Sequence, residues 1–163
     1  MGCGIWDLDG HLKHNFCDDS GKLRANDLAV SPDGQRLVVA TESSIVVFDF
    51  VSYERIAEYQ LDDVKLTSVS ISQDSRHMLV SMNPDQIKLM EIDSGEVIQR
   101  FEAHAQKEFI IRSAFGGADE NFVVSGSEGM CLHSHLSSKK KERSLLTCHP
   151  QTRGYTYGAL TDC

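Results

Sequence analysis

The tripeptide Ile5-Trp6-Asp7 returns as Val47-Phe48-Asp49 and again as Leu89-Met90-Glu91, at an even spacing of 42 residues. In each copy a large apolar residue followed by an acid ends a hydrophobic run. An internal period in the range of about 20–50 residues marks a protein built from repeated structural units. The spacing therefore predicts a repeat architecture.

The rest of each period reads as a strand, a tight turn and a second strand. The turns are Ser31-Pro32-Asp33-Gly34, Ser72-Gln73-Asp74-Ser75 and Gly116-Gly117-Ala118-Asp119. Proline presets the backbone angle φ and glycine accepts a positive φ, so the first segment favours a tight turn. The flanking runs are rich in β-branched residues, which favour strands. A period of about 40–45 residues that ends in Trp-Asp is typical of a β-propeller blade, a four-stranded sheet.

We therefore expect an all-β fold: a partial β-propeller of two full blades plus partial blades, with an irregular C-terminal tail. Residues 3–16 read as the last two strands of an incomplete blade, and residues 110–126 begin a third blade. The strands expected in the two full blades lie near 27–31, 36–41, 44–50, 53–60, 66–71, 77–82, 86–92 and 96–102. The side chains expected to be mostly buried between blades are Val30, Leu37, Val39, Val47, Ile71, Leu79 and Leu89.

The repeat pattern stops abruptly after Glu128. The period places the next apolar strand near 133–135, where the sequence reads His133-Ser134-His135. We expect the third blade to stay incomplete, which divides the chain into a propeller part, 1–128, and an atypical, disordered tail, 129–163. A frameshift, a mis-assigned intron or alternative splicing would produce such a break, because codons for residues 130–135 can encode a strand-like run when they are read one base later.

The charge of the chain is unevenly placed. Residues 1–128 carry a net charge of −11 and residues 129–163 one of +3, which together give the formal charge of −8. Because an acidic body repels phosphate backbones, we expect no nucleic-acid partner. No apolar run approaches the roughly 18–20 residues that span a bilayer, so we expect no membrane partner. Five scattered cysteines, an odd number, favour reduced thiols and a cytoplasmic location, with the nucleus as an alternative.

Several stretches resemble one particular group of WD-repeat proteins. They are Trp6-Asp7-Leu8-Asp9-Gly10, residues 27–38, the run Arg112-Ser113-Ala114-Phe115-Gly116-Gly117 and residues 125–128. The group is the WD-repeat subunit of the GID/CTLH ubiquitin ligase, which carries LisH and CTLH domains ahead of its propeller. The Trp-Asp repeat indicates a propeller, and the Arg-Ser-x-Phe-Gly-Gly run narrows the resemblance to this group. The tail after Glu128 departs from the family pattern.

The resemblance implies a non-catalytic scaffold for protein–protein interaction, a subunit of a ubiquitin ligase that acts in proteasome-dependent protein degradation. Its partners would be other protein subunits. Two alternatives stay open: a WD-repeat adaptor with unrelated partners, and a metal-binding protein or enzyme built on the tail. The repeats contain no nucleophile–base pair and no phosphate-cradling glycine loop, so we expect no catalytic residue and no cofactor.

The candidate functional positions are mostly structural repeat positions. They are Trp6, Asp7, Asp33, Gly34, Phe48, Asp49, Asp74, Met90, Glu91 and His104. His104 stands where WD repeats often place a Gly-His pair, and we expect it to form a hydrogen bond within its blade rather than to act in catalysis. Asp33, Asp74 and Asp119 occupy equivalent turn positions, where acids accept hydrogen bonds from turn amides.

Three further features have both a functional and a structural interpretation. Arg112 lies near the start of an inner strand, where it would contact a partner or form a salt bridge between blades; the sequence leaves both open. The set Cys131, His133, His135, Cys148 and His149 does not have the spacing of a zinc finger, and we expect no metal site. The run Lys139-Lys140-Lys141-Glu142-Arg143 could serve in nuclear localisation, but we interpret it as part of a solvated tail.

The number of blades bears on stability. Closed propellers have about four to eight blades, and this chain supplies roughly three. Blades without a neighbour expose apolar faces and unpaired strand edges, which favour aggregation or partner binding. We therefore expect the isolated chain to be poorly stable, and a monodisperse monomer with one reversible melt well above about 50 °C would contradict this.

Overall fold

The computed structural model describes residues 3–16, 23–84, 86–102 and 110–126, together with the backbone of 133–136 and 145–147. These residues form β-strands and one short 3₁₀ turn, η1 (Ala118–Glu120). The strands are β1 (Gly4–Trp6), β2 (Leu12–Asn15), β3 (Asp27–Val30), β4 (Arg36–Ala40), β5 (Ser44–Asp49), β6 (Arg55–Gln60), β7 (Lys65–Ile71), β8 (His77–Asn83), β9 (Gln86–Glu91), β10 (Val97–Glu102), β11 (Ser113–Gly116), β12 (Phe122–Ser125), β13 (His133–Leu136) and β14 (Leu145–Thr147). In this part of the chain no helix has the length and apolar content needed to cross a membrane.

Each sheet is antiparallel and follows the order of the chain. An N-terminal hairpin pairs β1 with β2, and three four-stranded sheets follow: the first blade (β3–β6), the second blade (β7–β10) and the third blade (β11–β14). The blades stack face to face, with their first strands β3, β7 and β11 beside one another. The sequence-based expectation of an all-β, partial propeller is confirmed.

The central strands of the first and second blades are buried on both faces because each of these sheets lies between two neighbours. In the first blade, Val38 and Val47 face the second blade, whereas Leu37 and Val39 face the N-terminal hairpin. All four side chains are at most 2% exposed. Strands buried on both faces are apolar without alternation, and β4 and β5 show this pattern.

Five of the seven side chains expected in the core are buried: Leu37, Val39, Val47, Leu79 and Leu89. The expectation is wrong for Val30, whose side chain is 40% exposed, and Ile71 is only half-buried. Both are the last residues of the first strands of their blades, immediately before a turn. Ile71 still packs against the apolar cluster between the first and second blades.

The third blade differs from its sequence-based description. β12 pairs with β13, and β13 pairs with β14, so the expectation that the third blade stays incomplete is wrong. Ladder hydrogen bonds join backbone groups, so a run such as His-Ser-His-Leu can extend a sheet without an apolar pattern. The division of the chain at residue 128 stays a prediction.

A tyrosine joins the first blade to the second. Tyr59 on β6 donates its hydroxyl hydrogen to the backbone oxygens of Ile92 and Asp93, at 2.9 and 2.8 Å, in the turn between β9 and β10. Its ring covers Gly95, where an added Cβ would overlap the ring carbons. Burial, and then the negative charges of Asp93 and Glu91, raise the pKa of Tyr59 above its ordinary value of 10.0.

The two seams between blades differ in polarity. The seam between the first and second blades is apolar, with Val38, Ala40, Ile45 and Val47 facing Leu66, Val69, Met78, Val80, Met82, Met90 and Ile92. The seam between the second and third blades adds a group of buried serines beside its apolar residues. Ser81 and Ser113 share a hydrogen bond at 2.8 Å across it, whereas the buried hydroxyls of Ser68 and Ser70 have no hydrogen-bond partner among the described residues.

We expect Gly95→Ala to lower the free energy of unfolding by about 2–4 kcal/mol, because the new methyl group would displace Tyr59 in addition to straining the backbone. Gly34→Ala is the matched control, since both glycines have a φ of 71° and no atom lies within 4 Å of a Cβ at Gly34. The control should cost about 1 kcal/mol. Urea unfolding of the purified chain measures both, and equal losses would contradict the role of Tyr59.

A second stability prediction concerns the serine-lined seam. We expect Ser68→Ala to leave stability unchanged or to raise it by about 1 kcal/mol, because it removes a buried hydroxyl that lacks a partner. Ser81→Ala should lower stability by about 1 kcal/mol, because it leaves Ser113 unpaired. The midpoint of urea unfolding compares the two variants. A similar loss in both would show that the Ser68 hydroxyl has a partner.

Candidate functional site

The recurring turns are held by a small hydrogen-bond cage. Ser31 donates its hydroxyl to Asp33, Oδ1 of Asp33 accepts from the Gln35 amide at 2.9 Å, and Oγ of Ser31 accepts from the Arg36 amide at 2.8 Å. Asp33 and Gly34 therefore act together, because Gly34 adopts the positive φ of 71° that closes the turn. The hydrogen bond from Ser31, and then that from the Gln35 amide, hold the pKa of Asp33 below 3.8.

The cage recurs one repeat later with the same chemistry. Ser72 donates to Asp74, and Oδ1 of Asp74 accepts from the Arg76 amide at 2.8 Å. Partial burial raises the pKa of Asp74, but the hydrogen bonds from Ser72, Arg76 and His77 outweigh it and lower the pKa below 3.8. These carboxylates are engaged by their own turns, which is a structural task.

The cages also join neighbouring blades. The Asp33 amide donates to Oγ of Ser75 at 3.1 Å, and the Gln73 amide donates to Oε2 of Glu120 at 2.8 Å. Ser75 occupies the position that Gly34 has one repeat earlier, and it keeps a positive φ of 60° without being glycine. Sequence reasoning missed Glu120, since no repeat position marks it.

The acids of the Trp-Asp signature cap the turn that follows their strand. Oδ1 of Asp7 accepts from the Asp9 and His11 amides, and Oδ1 of Asp49 accepts from the Val51 and Ser52 amides. Glu91 accepts a hydrogen bond from the Ser94 hydroxyl. A hydrogen bond from Lys13, and then that from the His11 amide, lower the pKa of Asp7.

The apolar members of the signature have unequal surroundings. Phe48 and Met90 are 7% and 1% exposed, because Phe48 lies between the N-terminal hairpin and the first blade and Met90 between the first and second blades. Trp6 is 59% exposed, on the face of the N-terminal hairpin turned away from the first blade. Its indole lies over Gly4.

Arg112 forms one of the two interactions that the sequence left open. Its guanidinium lies 3.3 Å from Oδ1 of Asp27, so it bridges the third blade to the first. Asp27 is 10% exposed and also accepts from the Val69 amide of the second blade, at 3.1 Å. The Arg112 side chain is 73% exposed, which leaves its outer surface open to a partner; that contact stays a prediction.

His104, expected to form a hydrogen bond within its blade, lies outside the described residues. The same holds for the side chains of the tail set considered for metal binding: Cys131, His133, His135, Cys148 and His149. Among the described residues, Asp7, Asp9 and His11 bring ligand atoms within 4.8 Å of one another. This group is open to solvent and Asp7 is already paired with Lys13 at 2.9 Å, so its carboxylate is occupied by a side chain of the same hairpin.

The turn carboxylates make the stability of the fold depend on pH. A carboxyl whose pKa is lower in the folded state stabilises the fold above its unfolded pKa, and this contribution is lost as the pH falls through the folded pKa. We therefore expect Asp33→Asn to be less stable than the parent chain at neutral pH, with a difference that closes as the pH falls below 3.8. Urea unfolding at a series of pH values measures this. Asp62→Asn controls for the loss of one negative charge, and a constant difference between Asp33→Asn and the parent would contradict the assignment.

Comparison with known proteins agrees with this architecture. No protein-family model matches the chain. It is 35% identical to a WD repeat-containing protein 26 homolog of Arabidopsis thaliana over 127 residues, 76% of this chain and 21% of that protein. It is 30% identical to the WD repeat-containing protein WDS homolog of the same plant over 93% of this chain and 29% of that protein. It is also 28% identical to GID complex subunit 7 of Schizosaccharomyces pombe over 76% of this chain.

The chain spans between a fifth and three tenths of the length of these curated relatives. Its described residues form what such a propeller requires, namely consecutive four-stranded antiparallel sheets that stack face to face. In the first and second blades, an aspartate holds the turn between the first two strands. The chain belongs to the WD-repeat proteins and forms part of their β-propeller.

Proposed function

We propose that this chain is a non-catalytic scaffold for protein–protein interaction and a subunit of a GID/CTLH-type ubiquitin ligase in proteasome-dependent protein degradation. The observation that carries the ligase assignment is the similarity to GID complex subunit 7 over most of the chain. The run from Arg112 to Gly117, which a generic Trp-Asp repeat does not require, supports the same assignment.

The chemistry of the turns supports a scaffold rather than an enzyme. A general acid or base needs a carboxyl group with a pKa near the working pH and access to a substrate. Asp7, Asp33, Asp49 and Asp74 instead accept hydrogen bonds from neighbouring amides, and their pKa values are lowered. WD-repeat proteins are in general non-catalytic scaffolds, and this chain fits that use.

For partners we propose other protein subunits of the ligase, reached through the exposed edges of the blades. Arg112 is the residue we assign to such a contact, because its guanidinium is held by Asp27 and still exposes most of its surface. Arginine is favoured at interfaces because it offers several donors in a planar group. We propose the cytoplasm as the compartment, with the nucleus as the alternative.

Affinity purification of the tagged chain from cells, followed by mass spectrometry, tests the assignment. We expect subunits of a GID/CTLH-type ubiquitin ligase among the proteins recovered in stoichiometric amounts. Recovery of an unrelated assembly would favour a WD-repeat adaptor with other partners. Ubiquitin transfer by the purified chain alone, abolished by one point mutation, would contradict the non-catalytic role.

Three variants separate the partner contact of Arg112 from its ion pair. Arg112→Ala removes both, Asp27→Asn weakens only the ion pair, and Arg76→Ala removes an exposed arginine from a turn at the other end of the strands. We expect Arg112→Ala to reduce recovery of the partner about tenfold, as for an interface residue worth over 1 kcal/mol. Equal losses with Asp27→Asn would show that the ion pair, and not a partner contact, is the role of Arg112.

A further inference from the structure

The N-terminal hairpin has an open edge along β1. The first copy of the signature, Ile5-Trp6-Asp7, begins in β1, and the second and third copies lie in β5 and β9. β5 is hydrogen-bonded to β4 and β6, and β9 to β8 and β10, whereas β1 pairs only with β2 among the described strands. An edge strand with one side unpaired is a place where a further strand can add.

The first blade is uncovered beside the same edge. Leu28 and Val30 on β3 lie on the face that carries Leu37 and Val39, because each pairs directly with one of them. The hairpin buries Leu37 and Val39 but leaves Leu28 48% and Val30 40% exposed. Val69 holds the place of Leu28 in the second blade, 41 residues later, and it is only 6% exposed.

The second blade shows what covers this position. Val69 belongs to the apolar cluster of the first seam, which contains Val38 and Ala40 of β4, with Ala29 of β3 packed against it. The first two strands of one blade thus cover the first strand of the next. The hairpin has the place of the last two strands of a blade, since Ile5-Trp6-Asp7 matches the third strand of the first blade. The gap next to β1 therefore has the width of two strands.

We propose that an extended, apolar segment of a partner protein adds to β1 as an antiparallel strand and covers Leu28 and Val30. This inference deepens the proposed function and rests on it, because the partner would be another subunit of the ligase. In strand addition, backbone hydrogen bonds supply affinity and pockets for alternate side chains supply specificity. Both are present here, as the open edge of β1 and the exposed apolar pair on β3.

The first blade predicts the register of the added strand. There β4 pairs with β5 through Val38 and Val47, and Val38 faces the next blade. Val47 corresponds to Ile5, so the residue opposite Ile5 would face the first blade. Its two neighbours in the segment would face the other way, one of them beside Trp6, which is 59% exposed. An apolar side chain is thus required at the position opposite Ile5 and not at the positions on either side.

A second copy of the chain cannot fill the gap through its own β1. A symmetric pair of antiparallel strands has its twofold axis perpendicular to the sheet. That axis would place both first blades on the same side of the joined sheet. Each first blade is four strands wide and extends past β1, so the two blades would occupy the same space. The gap therefore suits a segment that has no stacked blade of its own.

The fluorescence of Trp6 reports on this edge, because Trp6 is the only tryptophan of the chain. The probe is a synthetic peptide that copies residues 27–41, since β3 and β4 fill the equivalent place above the second blade. We expect saturable binding with a shift of the Trp6 emission to shorter wavelengths, as water is excluded from the indole. Val38→Lys in the peptide should weaken binding about tenfold, whereas Val39→Lys, which faces away from the first blade, should change it less than about threefold.

Leu28→Lys tests the apolar surface on the full chain. We expect it to weaken binding of the peptide about tenfold, because the added strand would bury the new charge. Ile56→Lys is the matched control, since Ile56 is also 48% exposed but lies on the outer strand β6. It should change binding less than about threefold. Equal losses in the two variants, or with the two peptide substitutions, would mean unspecific apolar contact and overturn the proposal.

Hydrogen exchange provides a second measurement, on the parent chain, which does not depend on the variants folding. Amide exchange in residues 4–6 should slow when the peptide is bound, whereas exchange in the outer strands β6 and β10 should not. Unchanged exchange in residues 4–6 would contradict strand addition. A purified chain that sediments as a dimer with Trp6 already shielded from water would assign the gap to a second copy.

The failure of this inference is distinguishable from failure of the proposed function. Affinity purification with Leu28→Lys should recover about tenfold less of the ligase subunit that contacts the edge. Equal recovery with the parent chain and Leu28→Lys would overturn the inference and leave the scaffold role standing. Peptide binding without recovery of any ligase subunit would keep the strand-addition site and contradict the ligase assignment.

Discussion

Face-to-face stacking of the sheets is the constraint on which the rest of this structure depends. Each central strand places alternate side chains on opposite faces, so both faces of a blade need a neighbour to exclude water. Burying one large aliphatic side chain is worth about 1.5–3 kcal/mol, compared with about 0.5–1.5 kcal/mol for a typical hydrogen bond. The apolar seam between the first and second blades therefore supplies more of the stability than the hydrogen bonds that cross it.

The hydrogen bonds between blades set orientation more than they add energy. Tyr59 reaches the turn after β9, Asp33 reaches Ser75, and Gln73 reaches Glu120. Each of these bonds joins a turn or an outer strand to the next blade, at the margin of the apolar seam. Such hydrogen bonds fix the angle between one sheet and its neighbour. They also occupy polar groups that would otherwise be available for chemistry.

What remains free of structural tasks points to where function lies. Asp7, Asp33, Asp49 and Asp74 accept hydrogen bonds from backbone amides, and Glu91 accepts one from the Ser94 hydroxyl. Arg24 and Lys65 are exposed without an ion-pair partner in the described part of the chain, and Arg112 is held in place by Asp27 while most of it faces solvent.

The sequence by itself determined the repeat, the strands of the first two blades and the tasks of Asp33 and Asp74, because these depend on contacts within one period. Only the tertiary structure decided which residues join the blades. Tyr59, Asn26 and Glu120 have no marked repeat position, and their roles follow from how one sheet lies on the next. The apolar pattern of the sequence did not predict the strands β13 and β14, because backbone hydrogen bonds alone are enough to pair them with the sheet. Side-chain periodicity records burial within a blade, whereas the angle and offset between blades are set only when the sheets stack.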